Sequence, residues 1–253
     1  MPNSPPLHHP ADILRRGFDW LRDGRHIVLI TLTGIAGVAS RVPGTLMVVA
    51  DDGSHAGSFS GGCIEAAIVS EALEVLAAGR GRAVRYGVGS HYIDVRLPCG
   101  GGIDLLFTPR PDPRVLSQAL ALLDAREPAA LSVNANEVAL VGGSSATVGF
   151  VIQVPPPLRI LAYGHGDDLA AFVHLGRCHG ALVEAVTPDP QAAERLRAAA
   201  ITAHHVLSRT QIPPMYGDPW TAVVFLFHDH DWEESLLPSA LSMPAFYYGA
   251  IGS

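Results

Sequence analysis

The sequence predicts an α/β protein in two parts: a mixed α/β domain over residues 1–154, then a Rossmann-like parallel-sheet domain over residues 155–253, trimmed at its C-terminal end. Three observations lead there. Short Val, Ile and Leu runs alternate with longer stretches whose apolar residues recur at helical spacing. Three consecutive prolines, Pro155 to Pro157, favour an extended hinge between two such series. After the hinge, strand-like and helix-like segments alternate as they do in a parallel sheet covered by helices.

In the first part a helix is expected from about Ala11 to Arg22, with Ile13, Leu14, Phe18 and Leu21 on one face and Gly24 as its stop. His26 to Leu32 and Leu46 to Val49 read as strands. The intervening TGIAGVASRVPG, rich in breakers, reads as a shaped loop. Asp51-Asp52-Gly53 is a turn signal, and Cys63 to Ala78 carries Ile64, Ala67, Ile68, Leu73 and Leu76 at helical spacing. Ala83 to Tyr86 and Ile103 to Phe107 are further strands and Pro113 to Ala125 a helix. Ala130 to Val133, Glu137 to Val141 and Val148 to Val154 then alternate like an antiparallel meander.

In the second part, strands over Arg159 to Ala162, Leu182 to Val186, Ala203 to Leu207 and Ala222 to Phe227 enclose helices over Asp168 to Leu175 and Pro190 to Ala200. The chain stops at the strand-like YYGAIGS where a helix would normally follow. Cover for the exposed sheet face is therefore expected from a partner, with a homo-oligomer as the simplest form.

A formal charge of -7 without any compact Lys/Arg tract argues against a nucleic-acid binder. Three widely spaced cysteines, behind a start that has neither a basic nor an apolar leader region, suggest a reduced, cytoplasmic protein. The apolar runs are strand-sized, so no membrane span is expected.

The densest local feature is GSFSGGCIE, residues 57–65. Ser60, Gly61 and Gly62 precede a helix whose first turn carries Cys63 and Glu65. Unpaired first-turn N–H groups there can cradle an anion, and the positive helix end lowers a thiol pKa. The plainer alternative makes Ser60 a helix cap and Cys63 a small buried hydrophobe. A second thiol, Cys99, is followed by Gly100, Gly101 and Gly102, a loop able to face an anionic ligand with a sulfur or metal centre, or simply to pack closely. Ser40 and Arg41 lie in a glycine-rich loop where a guanidinium can grip a phosphate or form a surface ion pair, and Arg85 is a weaker candidate.

In the second part, Gly164-His165-Gly166 occupies the strand-to-helix turn where Rossmann folds place a pyrophosphate, with Asp167 and Asp168 close behind. NAD or NADP binding is one reading of that turn. His228-Asp229-His230-Asp231 follows an apolar strand and offers metal ligands, proton exchange, or positioning of a ligand by His228.

SRVPGTLMVVADDGSHAGSFSGGCIE, LPCGGGIDLLF, YGHG, VVFLFHDHDWEESLL and FYYGAIGS together resemble the XdhC/CoxI family, maturation proteins of xanthine dehydrogenase and related molybdenum hydroxylases, over about residues 25–253. The resemblance implies an accessory chaperone: it binds molybdenum cofactor (molybdopterin), protects this phosphate-bearing pterin while a sulfur donor modifies it, and transfers it to an apoenzyme. It marks Cys63 and Cys99 with their adjoining glycines, Gly164, His165, His228 and Asp229, with either thiol near the molybdenum. Ala162 stands where a glycine is usual and Thr187 about where an acidic residue is expected. The mechanism so implied is binding and transfer, without catalytic turnover. The rival readings are an NAD(P)-dependent oxidoreductase and a cofactor-free scaffold for the molybdoenzyme.

Overall fold

The computed structural model describes residues 9–62, 64–90, 100–142, 148–209, 214–228 and 230–251. Backbone contacts separate two compact units, one ending at Pro156 and the other beginning at Pro157, inside the proline run.

The first unit is built on β1 (Ile27–Ala36), the middle strand of a five-stranded antiparallel sheet. Both faces of β1 are apolar, which explains its unbroken hydrophobic start. Ile27 and Leu29 enter one core with α1 (Pro10–Arg22) and α3 (Pro113–Asp124), while Val28, Ile30 and Leu32 enter a second core under α2 (Glu65–Ala78). The remaining strands are β2 (Leu46–Ala50), β3 (His55–Ala56), β4 (Arg82–Gly87) and β5 (Gly102–Pro109), in the order β3-β2-β1-β5-β4.

The supposed loop after Leu32 is in part strand. β1 continues to Ala36 through a register shift between Leu32 and Gly34, and the Asp104 carboxylate of β5 fills the space a side chain at Gly34 would take. That carboxylate receives both Nε and Nη2 of Arg85, at 2.7 and 2.6 Å, so Arg85 is an ion-pair residue of β4.

The three strands after α3 are not a meander. β6 (Ala129–Val133) lies between β7 (Val138–Leu140) and β8 (Phe150–Val154). β8 returns to the far side of β6 because that register, Leu131 opposite Ile152 and Ala129 opposite Val154, puts all four residues into the core beneath α1 and α3.

The second unit is a parallel sheet of β9 (Arg159–Gly164), β10 (Leu182–Thr187), β11 (Thr202–His205), β12 (Thr221–Leu226) and β13 (Tyr247–Ala250), ordered β11-β10-β9-β12-β13. This is the doubly wound Rossmann order, reversing between β9 and β12. α4 (Gly166–Cys178) and α5 (Pro190–Ala198) cover one face. The other face is covered within the chain by α6 (His230–Leu241), whose Leu236 and Ala240 are buried with Leu161, Val223 and Phe225. The sequence reading missed α6 and assigned that cover to a partner; Pro238 inside the helix is the breaker that hides it.

Candidate functional site

The glycine loop between β3 and α2 folds around a carboxylate of its own chain. Glu65, the first residue of α2, is only 7% exposed. Its Oε1 accepts from the Ser58 hydroxyl (2.6 Å) and the Phe59 and Ser60 N–H groups (3.1 and 2.9 Å). Its Oε2 accepts from the Ser60 hydroxyl (2.7 Å) and the Gly62 and Ile64 N–H groups (2.8 and 3.2 Å). Burial pushes this carboxyl's pKa up, but the Ser58 and Ser60 hydroxyls and the loop N–H groups outweigh it and hold the pKa at about 2. The donors that the sequence offers to an external anion are thus engaged from within.

Ser60 is not the helix cap: Ile64 takes that position without a side-chain cap bond, and the Ser60 oxygen accepts from the Ile64 N–H at 3.2 Å. Gly61 and Gly62 wrap the loop at positive φ, +74° and +120°, the second a region closed to other residues. Cys63 lies outside the described residues.

Beside this loop the Ser40 to Thr45 segment runs alongside Gly57 and Ser58 and leaves a cavity of about 220 Å³. Arg41 lines it and donates from Nε to the Ser58 carbonyl (3.2 Å), and Ser40 donates to the Phe59 carbonyl (3.1 Å). The structure therefore brings Ser40, Arg41, Ser60, Gly61, Gly62 and Glu65 into one neighbourhood. Sequence reasoning missed Ser58, although a serine seven residues before the acid that opens a helix, inside a glycine loop, is the available signal.

Cys99 also lies outside the described residues. Gly100 is exposed, whereas a side chain at Gly101 would run into the carbonyl oxygens of Ala36 and Val38, so Gly101 lets the entry to β5 close against the end of β1. Packing alone accounts for that glycine.

In the second unit Gly164, His165, Gly166 and His228 gather at the carboxyl ends of β9 and β12, where the strand order reverses. His165 caps α4 without a side-chain bond, and Asp167 and Asp168 occupy the first turn. His228 Nε2 sits 2.9 Å from Asp168 Oδ2, an exposed pair that ties the end of β12 to α4. The His165 ring lies 5.6 Å from that of Phe227, which stacks on Trp232 of α6. Asp229 lies outside the described residues, and among the described residues no group of three His, Cys, Asp or Glu side chains forms a metal-binding cluster. A second cavity, about 340 Å³ and lined by Arg159, Arg177, Glu184 and Thr202, opens at the other end of the strands and uses none of the residues singled out from sequence.

Comparison with known proteins adds three findings. The XdhC and CoxI family model matches residues 20–87, and the XdhC Rossmann domain model matches residues 160–253. The molybdenum cofactor insertion chaperone PaoD of Escherichia coli (strain K12) is 35% identical over 247 residues, covering 95% of this chain and 71% of PaoD. A crystal structure described as a xanthine dehydrogenase from Bacillus halodurans aligns with a TM-score of 0.80 at 19% identity, covering 97% of this chain and 82% of the other, which is a likeness of fold.

Proposed function

This chain belongs to the XdhC and CoxI family, and from that premise we propose that it takes up molybdenum cofactor, shields it and delivers it to a xanthine dehydrogenase-type apoenzyme. The observation that carries the reading is 35% identity, across 95% of the chain, to a protein named for molybdenum cofactor insertion. The cofactor is cargo here. What the chain must supply is donors for its polar end, shelter from water and contacts that a recipient can replace. The cavity beside the Glu65 loop supports the first of these, and we assign the thiols of Cys63 and Cys99 to the molybdenum side of the cargo. The nicotinamide dinucleotide alternative is disfavoured by Asp167 and Asp168, two carboxylates in the helix turn where a pyrophosphate would lie.

Anaerobic gel filtration with molybdenum cofactor, read by co-eluting metal and pterin, tests the proposal. The wild-type chain is expected to retain cofactor, and Cys63→Ala and Cys99→Ala each to retain it at least about tenfold less tightly, a loss of about 1.4 kcal/mol. Retention by both variants equal to wild type removes the thiol role; failure of the wild type to retain cofactor removes the cargo reading.

The same reading includes a sulfur donor, a cytoplasmic setting and a second copy of the chain as partners. Among the described residues no helix is long and apolar enough to cross a membrane. Phe246, Tyr247 and Tyr248 stand exposed at the edge strand β13 and support self-association. Light scattering is expected to give at least twice the chain mass, and a monomer at micromolar concentration would exclude the second copy.

A further inference from the structure

We propose that Arg41 is the phosphate-recognising residue of this chain and that the cavity beside it takes the terminal phosphomonoester of the pterin cargo. The inference rests on the cargo reading and deepens it. Its starting point is the fate of each donor around the cavity. The Ser58 and Ser60 hydroxyls and the N–H groups of Phe59, Ser60, Gly62 and Ile64 all serve Glu65. The Ser40 hydroxyl serves the Phe59 carbonyl and the Thr45 hydroxyl the Val42 carbonyl, at 3.1 and 2.7 Å. Among the described side chains lining the cavity, Arg41 alone keeps donors in reserve. Its Nε is bound to the Ser58 carbonyl, and its two Nη nitrogens have no hydrogen-bond or ion-pair partner among the described residues.

Charge and size point the same way. Among the described residues no carboxylate lines the cavity, and the nearby Glu65 is enclosed by its own donors, so the charge that these residues give the concave surface is the positive charge of one guanidinium. At about 220 Å³ the space falls below the roughly 300 Å³ at which sites for drug-sized ligands begin, and so suits an anionic end group better than a whole pterin. The Nε bond to Ser58 fixes the plane of the guanidinium. A fork held in this way can meet two phosphate oxygens at once with little further loss of side-chain freedom.

The test uses the full chain, with Arg41→Gln and Arg41→Lys, in two arms. The first titrates inorganic phosphate against chloride at matched ionic strength, read by thermal shift and phosphorus NMR linewidth. Saturable binding is expected for wild type, weaker binding for Arg41→Lys and none for Arg41→Gln. The second titrates molybdenum-free pterin, with and without its terminal phosphate, by fluorescence. Wild type is expected to prefer the phosphorylated form about tenfold, and Arg41→Gln to lose that preference while binding the dephosphorylated form as wild type does.

A preference that survives in Arg41→Gln overturns the proposal. Equal weakening of both pterin forms does so too, because it shows a packing role. If inorganic phosphate binds through Arg41 while wild type binds neither pterin, the cargo reading falls and the oxyanion site stands. If the pterins bind without discrimination and phosphate does not bind, the oxyanion site falls and the cargo reading stands.

Discussion

Replacing Glu65 with glutamine is expected to destabilise the first unit by about 3 kcal/mol at neutral pH and to remove much of its sensitivity to acid. Each carboxylate oxygen accepts three hydrogen bonds, and an amide nitrogen in place of either oxygen would turn its own hydrogens toward three donors. The pH dependence follows from the same geometry. Glu65 titrates at about 2 in the folded chain against an ordinary value of 4.5, so its stabilisation is complete above pH 4.5 and is lost as pH falls toward 2. At about 1.4 kcal/mol for each tenfold change in proton affinity, the difference amounts to about 3 kcal/mol. Asp51, Asp52, Asp104 and Asp112 are also held below their ordinary values, so the informative quantity is wild type minus variant. Urea unfolding between pH 7 and pH 3, with amide exchange read in α2 and β1, measures it. Parallel pH profiles lying within 1 kcal/mol of one another, on the order of ordinary surface substitutions, would show that the six hydrogen bonds add nothing.

The second large effect is expected in the other unit. Phe225 of β12 is 1% exposed, and its ring stacks on that of Tyr163 in β9 at 4.7 Å between centroids. Phe225→Ala is expected to cost about 3–5 kcal/mol, the range for deleting a buried phenyl group, of which the ring pair accounts for about 1 kcal/mol. Tyr163 provides an internal reporter. Burial, with a smaller push from the charge of Glu184, raises its phenol to about 12, so opening the core beside it should bring alkaline titration closer to 10. Amide exchange should accelerate in β9 and β12 and stay near wild type in β1 and α2, because the two units have separate cores. Uniform acceleration along the chain would mean that the units unfold as one.

The sequence was most informative where local chemistry decided the outcome. Asp112 caps the Arg114 N–H ahead of Pro113, and α3 starts there; the one-sided pattern of Ile13 and Leu14 marks α1. It was least informative where distant residues decided. Gly34 reads as a breaker, yet in the fold it makes room for Asp104, seventy positions away in the chain, and so belongs to a strand. The return of β8 past β7 depends on a core shared with α1, which no window around Val148 contains. At the candidate site, the acid that opens α2 behind a glycine loop was legible as a motif. That the loop's six donors converge on Glu65 is set by how residues 58–64 fold back on the head of α2, and that Arg41 stands beside them depends on how residues 40–45 meet residues 57–58.

The ring of donors around Glu65 has a last consequence. A loop whose donors are already satisfied by its own chain is preorganised without a guest. On the proposed reading, loading cargo beside this loop is expected to need no folding step there. Hand-over is then expected to exchange one set of contacts for another without rebuilding the loop between rounds.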